Sequence, residues 1–139
     1  MGNHRSYCAI NLGLEVFGDK WSLIIIRGMM FEGKRHFREL LQSDEKIASN
    51  ILTDRLAMLE REGIITKEGD PEHKQKIIYS LTQKGIDLLP ILTQVVVWSF
   101  KYMPIDIEVN RHAKMVAEGG NEMQEMIKQQ LRKEHNVTN

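Results

Sequence analysis

The chain has 139 residues, 42% hydrophobic and 27% charged, with 19 basic side chains against 19 acidic ones. That length supports one compact domain with an appended arm, and the composition excludes a disordered or low-complexity chain. Charge balance excludes polyanion binding driven by bulk charge, although it permits a local basic surface.

The longest apolar run, Leu23 to Ile26, is far shorter than the about 20 residues that a membrane-spanning helix needs. The start, "MGNHRSYCAINLG", lacks the apolar region of a secretory signal. Gly2 with Ser6 satisfies a minimal myristoylation pattern, but no polybasic anchor follows it. A single cysteine, Cys8, cannot form an internal disulfide, and a cytoplasmic protein is expected.

Hydrophobic periodicity predicts a first helix over Ala9 to Phe17, stopped by Gly18. Asp19 then caps a second helix whose first turn holds Lys20 and Trp21. "WSLIIIRGMMF" is apolar nearly all round, as in a helix surrounded by others. "EGKR" forms a turn, "HFRELLQ" a short helix, and "SDEK" the turn before Ile47. The helix "IASNILTDRLAMLEREGII" follows, so the two make a helix-turn-helix. Beyond Gly63 the pattern turns strand-like in "IITKE" and "KIIYSLT", where Ile77, Tyr79 and Leu81 alternate as in a half-buried strand. "GDPEHKQ" between them is the tip of a hairpin. Thr82 caps the next helical stretch, which Pro90 kinks or restarts, and Pro104 closes it. Ile91, Val95, Trp98 and Tyr102 recur along it at helical spacing. The tail from Ile105 is helix-like, broken at Gly119-Gly120, with Met123, Ile127 and Leu131 as a second apolar stripe.

On the helix that follows Ile47, a turn of about 100° per residue gathers Leu52, Leu56 and Leu59 into a core-facing arc. Asn50, Asp54, Ala57 and Arg61 lie nearly opposite, with Ser49 and Thr53 beside them. Ala48 or Ser49 starts the helix, so Ser49 is either a cap or a reader. Asn suits adenine, Thr a thymine methyl or a hydrogen bond, and Asp the amino group of cytosine. An ordinary solvated face explains the same residues when the helix is taken alone, and Asp54 counts against nearby phosphates. Its neighbours shift the balance. Lys34, Arg35, His36 and Arg38 cluster on the preceding helix, and His73, Lys74 and Lys76 load the hairpin. Such groups position a protein on phosphates while the helix between them specifies sequence. Arg55 either reaches a phosphate or pairs with Glu39, Glu60 or Glu62.

Over Cys8 to Trp98 the chain resembles the HxlR-type family of prokaryotic winged-helix transcription regulators. The resemblance is carried by "CAI", "GDKWSLIIIRGM", "HFRELLQ", "IASNILTDRLAMLEREGII" and "YSLTQKGIDLLPIL", in that order. It implies an α+β, mostly helical fold: a winged helix-turn-helix with a two-stranded β-hairpin wing and extra N- and C-terminal helices for dimerisation. It further implies a homodimer on an inverted-repeat operator in double-stranded DNA, with the wing near the minor groove. The expected domains are residues 8–103, for DNA binding and dimerisation, and a helical extension over residues 104–139. Two features depart from the family pattern. Ala48-Ser49 stands where Ser-Pro is common, and the tail after Pro104 is longer than in many members.

Some members of the family sense oxidants or electrophiles through a cysteine placed as Cys8 is. An inert thiol is the alternative, since sensing needs a lowered thiol pKa, which a helix N-terminus or the nearby His4 and Arg5 would supply. An enzyme is not expected, because no nucleophile triad, HExxH, phosphate loop or paired-cysteine motif is present. The scattered histidines and one cysteine predict neither a metal site nor a cofactor. Two other readings are a winged helix used only for protein contacts and a regulator gated by a small ligand among the eight methionines.

Overall fold

Asp19 sets where the central helix of the fold begins. Its carboxylate accepts the N–H groups of Trp21 and Ser22 at 3.0 Å each, and the Ser22 hydroxyl at 2.5 Å. Three donors on one side chain hold residues 20 and 21 in a turn, so the helix starts at Ser22, two residues later than the sequence pattern suggests. Burial opposes ionisation of Asp19, but the Ser22 and Trp21 hydrogen bonds and the Arg55 charge outweigh it and lower its pKa.

The computed structural model describes residues 3–138, so Gly2 and the myristoylation pattern lie outside the described residues. The chain forms two compact units, Met1–Ser80 and Leu81–Asn139. Helix α1 (Ala9–Phe17) opens the first unit and packs on α2 (Ser22–Phe31). α3 (Phe37–Leu41) and α4 (Ser49–Arg61) then pack against each other as the helix-turn-helix. α2 is its hub, burying Ile25, Ile26, Met29 and Met30. Arg27 escapes on its half-exposed side into a two-pronged ion pair with Glu45, both contacts at 2.8 Å.

Leu52, Leu56 and Leu59 of α4 are buried, as the periodicity predicts. Each such leucine contributes about 1.5–3 kcal/mol of transfer free energy. Ala48, not Ser49, is the N-cap, and no side chain caps this helix. Ser49 is therefore the first helical residue, and its expected capping role is not made. The C-terminus is well sealed. Gly63 takes φ +74°, its N–H meets Glu60 O at 3.0 Å, and Ile64 N–H meets Leu59 O at 2.9 Å. This paired 5→2 and 6→1 pattern needs a left-handed residue, which glycine adopts without a Cβ clash.

The chain then enters β1 (Ile65–Gly69), which pairs with β2 (Ile77–Leu81) in a two-stranded sheet. Asp70 N–H donates to Lys76 O at 2.9 Å and closes the hairpin. Ile64 and Ile65 anchor its base in the core. Tyr79 and Leu81 are buried as expected, but Ile77 is exposed: at the strand's outer end the hairpin has left the core behind.

In the second unit Thr82 caps α5 (Gln83–Ile86), its hydroxyl accepting Gly85 N–H at 3.2 Å. The helix restarts as α6 (Leu89–Tyr102), with Pro90 in its first turn where no N–H is required. α7 (Arg111–Glu118) packs on α6, and α8 (Gly120–Glu134) packs on α5, α6 and α7. Leu89, Val116 and Leu131 are buried here. The buried His135 accepts Leu81 N–H at 2.9 Å. Two apolar surfaces stay uncovered, Tyr7, Ile10 and Leu14 in the first unit and Val95, Trp98 and Tyr102 along α6 in the second. Among the described residues no helix is long and apolar enough to cross a membrane.

Candidate nucleic-acid interface

α4 turns Asn50, Thr53, Asp54 and Ala57 to solvent, opposite its buried leucines. Asn50 makes no side-chain hydrogen bond among the described residues, so both ends of its amide are available. Ser49 is exposed at the first turn. Thr53, exposed, donates its hydroxyl to Ser49 O at 2.9 Å. Asp54 is paired. Arg55 closes on it through Nη2 and Nε, and also reaches Asp19 at 3.6 Å. Neither Glu39, Glu60 nor Glu62 is its partner, so Arg55 joins α4 to the loop before α2. The Asp54 hydrogen bond, opposed by burial and aided by Asp19, raises the Arg55 pKa.

The basic groups around α4 divide into two sets. Lys34 bends back to Gln42 O at 2.9 Å and Glu32 at 3.1 Å. Arg35 faces β2: its Nε donates to Tyr79 O and its Nη2 to Ser80 Oγ, both at 2.6 Å, while its own carbonyl accepts Tyr79 N–H at 2.7 Å. Arg35 thus acts as a one-residue edge strand against the hairpin. The cationic ends of Lys34 and Arg35, expected to face phosphates, and of Arg55, for which a phosphate or an internal pair is expected, are all engaged within the chain.

Arg38, Lys74 and Lys76 form the second set, exposed and without an ion pair among the described residues. Arg38 from α3 and Lys76 from the hairpin line one cleft, whose floor is Phe37, Ile77 and Tyr79. His73 stands beside Lys74 at the exposed tip, its N–H on Asp70 O at 3.2 Å. A smaller cleft between α4 and β1 is lined by Thr53, Ala57, Glu60 and Lys67. Lys67 was not a candidate from sequence, since a lone lysine on a strand gives no signal until the strand lies beside α4.

Cys8 is exposed at the N-cap of α1. The backbone N–H groups of Asn11 and Ile10 at the start of α1 lower its thiol pKa, opposed by desolvation, although its side chain makes no capping hydrogen bond. Beside it, Glu15 accepts His4 Nδ1 at 2.6 Å and Arg5 N–H at 2.9 Å, which draws both basic neighbours toward α1. The His4 and Arg5 bonds, with one from Asn11, hold the Glu15 carboxyl down at about 2.

A tight helix-turn-helix whose second helix presents a polar face, followed by a basic hairpin, is the architecture of winged-helix transcriptional regulators. The chain belongs to the HxlR-like helix-turn-helix family, whose family model matches residues 16–107. An HTH-type transcriptional regulator of Methanothermobacter thermautotrophicus is 31% identical over 102 residues, 73% of this chain and 77% of that protein. Two solved structures align on the fold. The redox regulator HypR in its oxidised form is 31% identical with a TM-score of 0.60, covering 70% of this chain and all of HypR. Reduced YodB, a transcriptional regulator from Bacillus subtilis, is 27% identical with a TM-score of 0.59, covering 73% of this chain and all of YodB.

Proposed function

We propose that the protein is a cytoplasmic, sequence-specific DNA-binding regulator that acts as a homodimer on an inverted-repeat operator. The observation that carries this reading is the solvent face of α4, where Asn50 is exposed, in a unit that also presents Arg38, Lys74 and Lys76 exposed and without an ion pair among the described residues. A helix of this kind enters the major groove with its N-terminal residues against base edges. Ser49, Asn50 and Thr53 occupy that end. Asp54 reads a base only if Arg55 releases it. Arg38, Lys74 and Lys76, with His73, meet phosphates, whereas Lys34, Arg35 and Arg55 support the surface from within.

Dimerisation uses the exposed apolar face of α1 in the first unit and, separately, that of α6 in the second, where residues 104–139 add to it. Residues 8–103 then form the DNA-binding and dimerising domain, as the family membership suggests. Uncovered stripes such as Val95, Trp98 and Tyr102 mark protein contacts far more often than solvent faces.

Binding should weaken with salt as counterions return to the phosphates. Arg38→Ala and Lys76→Ala are each expected to reduce the slope of log affinity against log salt by about one, and to weaken all sequences alike. Fluorescence anisotropy across a salt series measures this, and unchanged slopes would remove the cleft from the interface.

Cys8 supplies the signal in this reading. Its exposure and lowered pKa match the requirements of a thiolate sensor, and two structural relatives, HypR and YodB, are redox or diamide-treated regulators by name. With one cysteine per chain, oxidation ends in a disulfide between subunits or with a small thiol. Diamide is expected to release the wild-type protein from its operator and to leave Cys8→Ser bound. Equal release of both in a gel-shift titration would refute the sensor role.

A further inference from the structure

Where the strands of the wing give way to its loop lies a polar cluster that the DNA-contact scheme leaves unused. His36 Nδ1 lies 3.0 Å from Glu39 Oε1, and Nε2 lies 2.7 Å from Asp70 Oδ2. Glu39 Oε1 also accepts the N–H groups of Arg35 at 2.9 Å and His36 at 3.0 Å. Asp70, at 8% exposure, accepts Glu72 N–H on its other oxygen at 2.9 Å. An ionised carboxylate only accepts, so an imidazolium, which donates from both nitrogens, satisfies Glu39 and Asp70 together. The ring also caps α3 at the Glu39 backbone N–H, a contact that only the neutral ring accepts, so the protonation state decides which of the two contacts is made.

We propose that His36 is a positioning residue which, as the imidazolium, docks the wing onto the helix-turn-helix, and that its deprotonation loosens the wing and weakens DNA binding. Asp70 closes the hairpin through its backbone N–H on Lys76 O, so the charge that holds Asp70 also sets where His73, Lys74 and Lys76 stand. Other charged groups nearby come from both sides: Arg38 and Lys76 line the adjoining cleft, and His73 acts electrostatically on Asp70. Arg35 keeps β2 attached when His36 is neutral, so the change is a local loosening and not unfolding.

The titration directions agree with the geometry. The Asp70 hydrogen bond, opposed by burial and aided by Glu39, raises the His36 pKa above its ordinary value. The Asp70 pKa is lowered, first by the His36 bond. The Glu39 pKa is lowered too, chiefly by the Arg35 N–H and then, against desolvation, by His36. A raised histidine pKa stabilises the docked wing below its unperturbed value of about 6.5 and loses that contribution as pH rises through the folded value. The carboxylates withdraw theirs only as pH falls through their lowered values, so the wing is tethered between these limits.

The test has two arms, the second of which rests on the DNA-binding reading above. In the free protein, ring-nitrogen NMR of His36 from about pH 6 to about pH 9 is expected to show both nitrogens protonated near neutrality and a raised midpoint. Exchange of the Glu72 and Asp70 amides, corrected for intrinsic pH dependence, should accelerate several-fold through that midpoint. The step should persist in His73→Gln and vanish in His36→Gln and Asp70→Asn. His36→Arg, charged throughout the range, should keep the wing protected. A single-nitrogen tautomer near neutrality, or a step retained in His36→Gln and Asp70→Asn, would overturn the tether. In the second arm, operator affinity should fall several-fold over the same range in the wild type and stay flat in His36→Arg. A wild-type pH profile shared by His36→Arg would overturn the link to binding. If no DNA is bound at any pH, the DNA-binding reading fails while the first arm still decides the tether.

Discussion

Leu52→Ala is expected to lower the unfolding free energy by about 2–5 kcal/mol, the cost of deleting a fully buried leucine and leaving part of its cavity open. Leu52 is 0% exposed and sits on the core arc of α4, where Leu56 and Leu59 share the same packing. The surroundings cannot easily collapse, because α4 is fixed at its C-terminus by the Gly63 seal and tied to the α1–α2 loop by Arg55. Urea unfolding followed by far-UV circular dichroism measures the effect. Asn50→Ala, two residues away but facing solvent, should change stability by less than about 0.5 kcal/mol, as surface substitutions away from special features do. If the two variants lost similar stability, the inward and outward faces of α4 would be wrongly assigned.

The second large effect concerns specificity, and here the roles reverse. Asn50→Ala leaves the fold intact but should cost about 1–3 kcal/mol of discrimination at one base pair of each half-site, the value of a bidentate amide–base contact. Competition with operator variants changed at single positions locates the loss. In the parent one position should punish substitution strongly, and in Asn50→Ala that position alone should become tolerant. A uniform loss across all positions would mean that Asn50 only supports the backbone approach.

How much of this was legible in the sequence depended on the distance over which each interaction acts. The leucine arc, the Thr82 cap, the Pro90 restart and the Gly63 stop are local, and periodicity or a single residue type reveals them. The start of α2 was misplaced by two residues because Asp19 reaches past a turn before it caps. Ser49 was given a capping option that the backbone assigns to Ala48, a difference of one residue that composition cannot resolve. The basic cluster was legible as a cluster but not by role. Arg35 meets Tyr79 and Ser80 across 44 and 45 residues, and His36 meets Asp70 across 34. Such pairings depend on how the wing returns to the helix-turn-helix, which no spacing within one segment encodes. Arg55 combines both ranges, with Asp54 beside it in sequence as one partner and Asp19 from another loop as the other.

These long-range contacts change the picture of the interface. From sequence, two basic clusters bracket α4, and every cation in them is a candidate for phosphate contact. Instead Lys34, Arg35 and Arg55 are used inside the protein, and a smaller group remains for an external anion. If the chain binds DNA as proposed, its zero net charge should keep affinity for arbitrary DNA low and leave more of the discrimination to base contacts.

The central claim is that the outward face of α4, flanked by the wing, reads a defined DNA sequence. Its most direct test is to select fragments from the source genome with the purified protein, then to measure anisotropy on the selected duplex and on a scrambled duplex of equal composition. At physiological salt the account predicts an inverted-repeat site bound at least about 10³-fold more tightly than the scrambled control. Equal affinity for the two duplexes, or no binding to either, would contradict it.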